Sequence, residues 1–359
     1  MKLKTLCLAA ACTPALAAAQ SSVTLFGVVD LAVSRYATQG GASALKMISG
    51  GTQASRFGLR GAEDLGGGMS ASFWLEGDIS ADTGNNGTGN SNNQTSGITQ
   101  AAGFGRRSTL SLSGNWGELR LGRDYVPTHW NFAFFDPFKM YGVGSASNLF
   151  FAGTTGPSIS TTRNSNSIGY LYNNSSPAGG KGLYGQVQYA LGENNSNTAN
   201  ANDGRYLGFR TGYAFDGWNV AVAGSHTQML ANGDFHMGSV GVSRETQFAL
   251  LTAQYTTSNS GIAATRYHTY LLGASIPLGS GYIPVSVMHS ERNNTAGSSA
   301  VQLAVGYVYD LSKRTSLYAT YARIRNSNGA AFVVGGSASV PGLANATSSG
   351  FDIGIRHNF

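Results

Sequence analysis

From Val23 onward apolar and mixed positions alternate with a period of two. Val23, Leu25, Val29, Leu31 and Val33 fall on one side, and Thr24, Phe26, Val28, Asp30, Ala32 and Ser34 on the other. SRFGLRG repeats the pattern, with Phe57 and Leu59 opposed to Arg56 and Arg60, as do MSASFWLEGDI (69–79), STLSLSG (108–114) and GFDIGIRHNF (350–359). Successive strand side chains point to opposite faces, so this period marks half-buried strands. Dividing the chain at its Gly, Asn, Ser and Pro clusters predicts 16 strands, near 22–35, 52–62, 68–80, 105–115, 117–124, 163–174, 181–192, 204–215, 217–229, 234–243, 245–257, 264–276, 281–291, 299–310, 314–325 and 349–359. Short spacers (DLGGG, NWG, FDGWN, LGSG, LSKR) alternate with generally longer ones, which predicts tight turns at one end and long loops at the other.

The polar face decides the fold class. Asp30, Arg56, Arg60, Glu76, Asp78, Arg107, Arg120 and Arg356 all lie opposite the apolar face. A β-sandwich shares the hairpins, but so many charges on one face require that face to be wet. A transmembrane barrel supplies this, with lipid outside and water within. The expectation is therefore all-β, a 16-stranded antiparallel transmembrane β-barrel. Composition agrees: 50 of 359 residues are Gly and only 11% are charged, while 42% hydrophobics is too apolar for a disordered chain. No run of about 20 apolar residues argues for a membrane-spanning helix, and 17 Tyr suit the aromatic girdles of a barrel.

The first residues read as a targeting segment. Lys2 and Lys4 precede the apolar stretch Leu6 to Leu16 and the small residues Ala17 to Ala19, the layout of a secretory signal, with cleavage expected after Ala19. A lipoprotein reading centred on Cys12 is the rival, but Ala9 stands where a larger aliphatic is preferred. The remainder, 20–359, is expected to form one barrel domain with no cysteine, so it must hold together by means other than disulfides, of which a closed hydrogen-bonded ladder is one.

Candidate chemistry centres on arginine. Beyond residue 19 the chain has 17 Arg and 4 Lys. Guanidinium keeps its charge and geometry when partly dehydrated, which suits a fixed positive wall. Parity points Arg56, Arg60, Arg107 and Arg120 inward, whereas Arg106 and Arg123 sit at strand ends where parity gives no answer. The longest non-alternating segment, 125–162, carries Trp130, Phe132, Phe134, Phe135, Phe138, Phe150 and Phe151. So many aromatics need cover, so the segment should fold inside the barrel as a constriction loop, with Asp124, Asp136 and Lys139 facing the remaining gap. Loops 81–103 and 326–348, rich in Gly, Asn and Ser, read as exposed external loops. The histidines are scattered, with no HExxH and no GxSxG elbow, so no catalytic residue, metal or cofactor is expected. Scarce Lys and dispersed Arg give no nucleic-acid signature.

Several stretches carry a family resemblance: SSVTLFGVVD, SRFGLRGAEDLGGGMSASFWLEG, GRRSTLSLSGNWGELRLGRD, FDPF, GYVYDLSKRTSLY and GIRHNF. Together they span essentially all of 20–359, which resembles a general porin of the Gram-negative outer membrane, of the betaproteobacterial, anion-selective trimeric type. The resemblance implies a homotrimer of 16-stranded barrels, each with its third external loop folded inside. It implies that Arg56, Arg106 and Arg163 form a positive cluster on the pore wall and that Glu76 and Asp136 are acids near the gap. Parity favours Arg107 over Arg106, so both stay candidates. The terminal Phe359 resembles the signal read by the barrel-assembly machinery, and the surroundings would be outer-membrane lipids and lipopolysaccharide. Two departures stand out: Lys139 follows FDPF where relatives often carry Gly, and the enteric PEFG loop motif is missing. The implied function is passive diffusion of small hydrophilic solutes, with a preference for anions. Other readings are a specific channel for an organic anion or phosphate, a barrel enzyme such as an outer-membrane lipase, and an adhesin.

Overall fold

The computed structural model describes residues 22–90, 92–94, 99–101, 103–150, 161–173, 181–230, 233–260, 265–293 and 296–359. The expected targeting segment and Phe151 lie outside them. The wall is built from β1 (Ser22–Thr38), β2 (Ser43–Ser49), β3 (Arg56–Gly66), β4 (Met69–Ser80), β5 (Arg107–Gly114), β6 (Gly117–Tyr125), β7 (Arg163–Tyr172), β8 (Gly182–Ala190) and β9 (Tyr206–Phe215). It continues through β10 (Trp218–Thr227), β11 (Phe235–Glu245), β12 (Leu250–Ser260), β13 (Thr265–Leu278), β14 (Gly281–Arg292), β15 (Ser299–Asp310), β16 (Thr315–Ser327) and β17 (Thr347–Asn358). Each strand pairs antiparallel with its chain neighbour, and β1 pairs with β17 from Val28↔Asn358 to Thr38↔Ser348, which closes the ring.

The second stave is broken in two. β3 pairs with the first part of β1 (Val28↔Arg56) and β2 with the last part (Leu31↔Ser49), so together they occupy one position in a closed 16-strand antiparallel barrel. The sequence reading placed a single strand near 52–62 and none at 43–49. The reason for the difference is Asp30. Its buried carboxylate accepts the backbone N–H groups of Gly51 (3.2 Å), Thr52 (2.9 Å) and Gln53 (2.8 Å), the Thr52 hydroxyl (2.8 Å) and the Tyr318 hydroxyl. A carboxylate so placed holds residues 50–55 as a turn instead of a ladder.

The two faces meet different surroundings. Leu25 (61% exposed), Leu110, Leu272 and Ile353 belong to an outward band of bare aliphatics, whereas Ser34, Ser111, Gln186, Ser239, Thr256, Gln302 and Asp352 point inward and are buried. Exposing one large aliphatic to water forfeits about 1.5–3 kcal/mol, so a continuous band of them belongs in hydrocarbon. Short turns lie at the end carrying Phe359. One of them, Asp216–Gly217, has positive φ at both residues (44° and 75°), the two-residue hairpin turn that matches strand twist.

The loops at the other end differ from expectation. Segment 326–348 is not simply exposed. Val334 and Val340 are buried, and the Gly335 N–H donates to Asn148 Oδ1 (3.1 Å) above Tyr36. Within 81–103, Asn93 is fully buried, donating to the carbonyls of Ser165 and Leu191 and accepting the Ser165 N–H. Asn pairs with backbone as readily as with water, so an Asn-rich composition does not by itself mean exposure.

Candidate pore constriction

After β6 the chain turns into the barrel as α1 (Pro127–Phe135), with Pro at the helix start where its missing N–H costs nothing, and later α2 (Ser147–Phe150). The aromatics do what the sequence demanded: Phe132, Phe135, Phe138 and Phe150 are buried, and Trp130 and Phe134 are half-buried. Phe135 lies against Gly241, where an added methyl would overlap its ring. Polar bonds fix the loop at both ends. Asn131 donates to Ser239 Oγ (2.8 Å) and accepts from Arg210 Nε (3.2 Å), while Gln254 donates to the Asn131 carbonyl (3.0 Å). On the far side Gln302 donates to the carbonyls of Gly144 and Ser145 (3.1 Å each), and Asp352 accepts the Val143 N–H (2.8 Å).

Opposite the loop stands a cluster of charges. Arg106 makes ion pairs with Glu76 (2.5 Å) and Asp78 (2.7 Å), and Arg56 reaches Glu76 at 3.6 Å. The Tyr125 hydroxyl accepts from both Arg106 (2.5 Å) and Arg163 (2.6 Å), and the Arg163 guanidinium lies 4.2 Å over the Tyr125 ring. Two guanidiniums, Arg56 and Arg106, thus share two carboxylates, and the third, Arg163, joins them only through Tyr125. Arg106 and Arg163, with Tyr125, Tyr141, Ser145 and Tyr36, line a cavity of about 550 Å³ between loop and wall. His129 adds no charge there, because burial, reinforced by Arg163 and Arg106, pushes its imidazole down to about 3.

The other candidates scatter. Arg107 also faces the bore, 4.7 Å over Trp74 and 3.8 Å from Asp124, so both neighbours of the parity conflict point inward. Arg106 precedes the ladder, which begins at Arg107, and so escapes the alternation. Arg120 is held by Glu118 (2.8 Å) and Asp124 (2.6 Å), a local network that cancels much of its charge. Arg123 donates to the Gly105 carbonyl (2.6 Å) and to Ser165 Oγ (2.8 Å). Arg60 stacks on Phe26 and Trp74 (5.4 and 5.2 Å) toward the short-turn end.

Asp136 does not face the gap. It is buried, and its carboxylate accepts the N–H groups of Phe138, Met140 and Ala146 (2.9 Å each), which folds the loop tip back on itself. Asp124, likewise expected at the gap, is buried in the Arg120 pair. Lys139 is exposed, lining a second cavity on the short-turn side of the loop. Sequence reasoning missed Tyr125, counted only as the start of a loop, and Asp78, whose parity with Glu76 was visible. It also gave no role to Asp352 and Gln302, whose anchoring depends on contacts across the bore.

The family model for Gram-negative porins matches residues 5–329. The chain belongs to that family. This porin is 36% identical to outer membrane porin protein 32 of Delftia acidovorans over the full length of both chains. Its fold is similar to the anion-selective porin from Comamonas acidovorans, with a TM-score of 0.81 and 32% identity over 95% of this chain and all of that one. A more distant likeness, of fold alone, is to OmpT of Vibrio cholerae, solved in a trimer form (TM-score 0.63, 12% identity, 94% of this chain and 99% of that one). The porin therefore belongs in the outer membrane, with the bare aliphatic band against its lipid and the bore as a passive diffusion path.

Proposed function

We propose that this porin passes small hydrophilic solutes and favours anions, acting as one of three identical subunits and catalysing no reaction. One observation carries the reading. Beside the inward loop Arg56 and Arg106 pair with Glu76 and Asp78, Arg163 adds a third positive charge with no carboxylate within 4.0 Å among the described residues, and the loop's own acid, Asp136, is spent on backbone N–H groups. A net positive, low-dielectric-walled gap raises the local concentration of anions and repels cations. The resemblance to an anion-selective porin points the same way. On this reading Arg56, Arg106 and Arg163 form the selectivity filter, Arg107, Arg120 and Arg123 contribute more distant field, and Glu76 and Asp124 moderate it. Residues 1–19 act as the export signal, Phe359 as the assembly signal, and lipopolysaccharide as part of the lipid contact. Liposomes containing the protein test it: they should swell faster in a small organic anion than in a cation of equal size. Equal rates would contradict the anion preference, and no swelling in any solute would contradict the pore itself.

A further inference from the structure

The loop has a second charged side that the filter does not use. Beneath it, toward the end carrying Phe359, lies a cavity of about 230 Å³ lined by Thr52, Gln53, Lys139, Tyr282, Arg356 and Asn358 among others. The Lys139 backbone is left-handed (φ 53°), as is that of Met140 (φ 69°), a conformation that Gly adopts freely and Lys does not. The three backbone bonds of Asp136 close this turn and hold Lys139 out into the bore. A strained, exposed cation kept where Gly would be easier points to a use for its charge.

Arg356 faces it from β17. Its Nη1 donates to Thr52 Oγ1 (3.3 Å) and its Nη2 to Ser316 Oγ (2.9 Å), while Nε has no partner. Among the described residues neither Lys139 nor Arg356 has a carboxylate within ion-pair distance. Asp30 is the register partner of Arg356, but its oxygens are taken by Gly51, Thr52, Gln53 and Tyr318. Asp310 accepts the Ser316 hydroxyl instead (2.6 Å). Two cations therefore bracket a small space with no carboxylate in direct contact with either, Asp30 and Asp310 each standing one hydroxyl away from Arg356.

We infer that Lys139 and Arg356 form a binding station for a small dianion, of phosphate or short dicarboxylate size, on the exit side of the constriction. The inference rests on the anion-channel reading and deepens it. A dianion engages both cations at once and relieves their mutual repulsion, whereas chloride engages one at a time. At about 30 Å³ per water, the cavity holds such an ion with part of its hydration shell but no nucleotide.

Single-channel recording in KCl, with potassium phosphate titrated in at a pH where the dianion dominates, tests the station. Phosphate should block the wild-type current. Lys139→Gly, which relieves the backbone instead of straining it, should raise the half-blocking concentration about five- to tenfold, the effect of one partly screened charge contact. Arg356→Gln should do the same, and Lys139→Arg should restore near wild-type block. In Lys139→Gly the zero-current potential in a KCl gradient should stay on the anion side, because the Arg106 cluster is intact. Equal phosphate block in wild type and Lys139→Gly would overturn the station and leave the anion reading standing. So would equal fold losses for phosphate and chloride, since a general field would then explain both. A wild-type potential on the cation side would instead strike the anion reading itself.

Discussion

Arg163→Gln is the cleanest probe of the filter. Arg163 bonds to the Tyr125 hydroxyl and stacks on its ring, and no carboxylate of the described residues lies within 4.0 Å of it, so its removal orphans no acid. Arg106 is a poor choice by comparison, since its loss would leave Asp78 with no ion pair among the described residues and Glu76 with only the longer contact to Arg56. A unit charge about 7 Å from a permeating ion is worth about 0.6 kcal/mol at the dielectric constant of water, roughly RT. Partial exclusion of water in the gap only increases this. The change weakens chloride and favours potassium by about threefold each, so their permeability ratio should fall about tenfold. The assay is the zero-current potential across a planar bilayer in a KCl gradient, compared with wild type at matched single-channel conductance. The barrel should assemble normally, because the side chain lines the cavity beside the loop, bonds one tyrosine and pairs with no acid among the described residues. A ratio within twofold of wild type, in correctly assembled protein, would refute the assignment of the filter.

Three further outcomes follow from the same geometry. Gly241→Leu drives a side chain into the Phe135 ring and should dislodge the loop, giving larger and noisier single-channel conductance; quiet channels of wild-type size would contradict the described packing. Burial pushes the Asp136 carboxyl up to about 6 although three backbone N–H groups pull it down. Its stabilising contribution is then full below the usual value near 4 and lost as pH rises through about 6, at most about 3 kcal/mol. The detergent-solubilised protein should unfold at higher temperature at pH 5 than at pH 7, and Asp136→Asn should shrink that difference; an unaltered difference would contradict the claim. Removing Phe359, whose backbone pairs with Gly27 in both directions (3.0 Å each), should cut the yield of heat-modifiable barrel in outer-membrane fractions severalfold; wild-type yield would argue against its role in assembly.

The ring of strands was legible because alternation, short turns and an even strand count all state the same thing: one face in lipid and one in water. The break between β2 and β3 was not, since it depends on Asp30 reaching across to residues 51–53, and no local propensity records that. Within the constriction, parity works inside ladders and fails at their ends. It placed Arg56 and Arg107 inward but was silent on Arg106, which lies one residue before β5 begins. Asp136 was misread as facing the gap because composition cannot distinguish a carboxylate facing water from one wrapped by backbone N–H groups. Tyr125 escaped notice for a related reason: its hydroxyl joins two guanidiniums that are 57 residues apart in the chain, Arg106 and Arg163.

The central claim is that fixed guanidiniums at a wet gap set the ionic preference. The most direct measurement is the wild-type zero-current potential in KCl gradients at falling mean ionic strength. Screening length grows from about 3 Å at 1 M to about 30 Å at 0.01 M. The chloride-over-potassium preference should therefore be modest in molar salt and rise steeply as salt is removed. A preference for potassium, or a ratio that does not change with ionic strength, would contradict it.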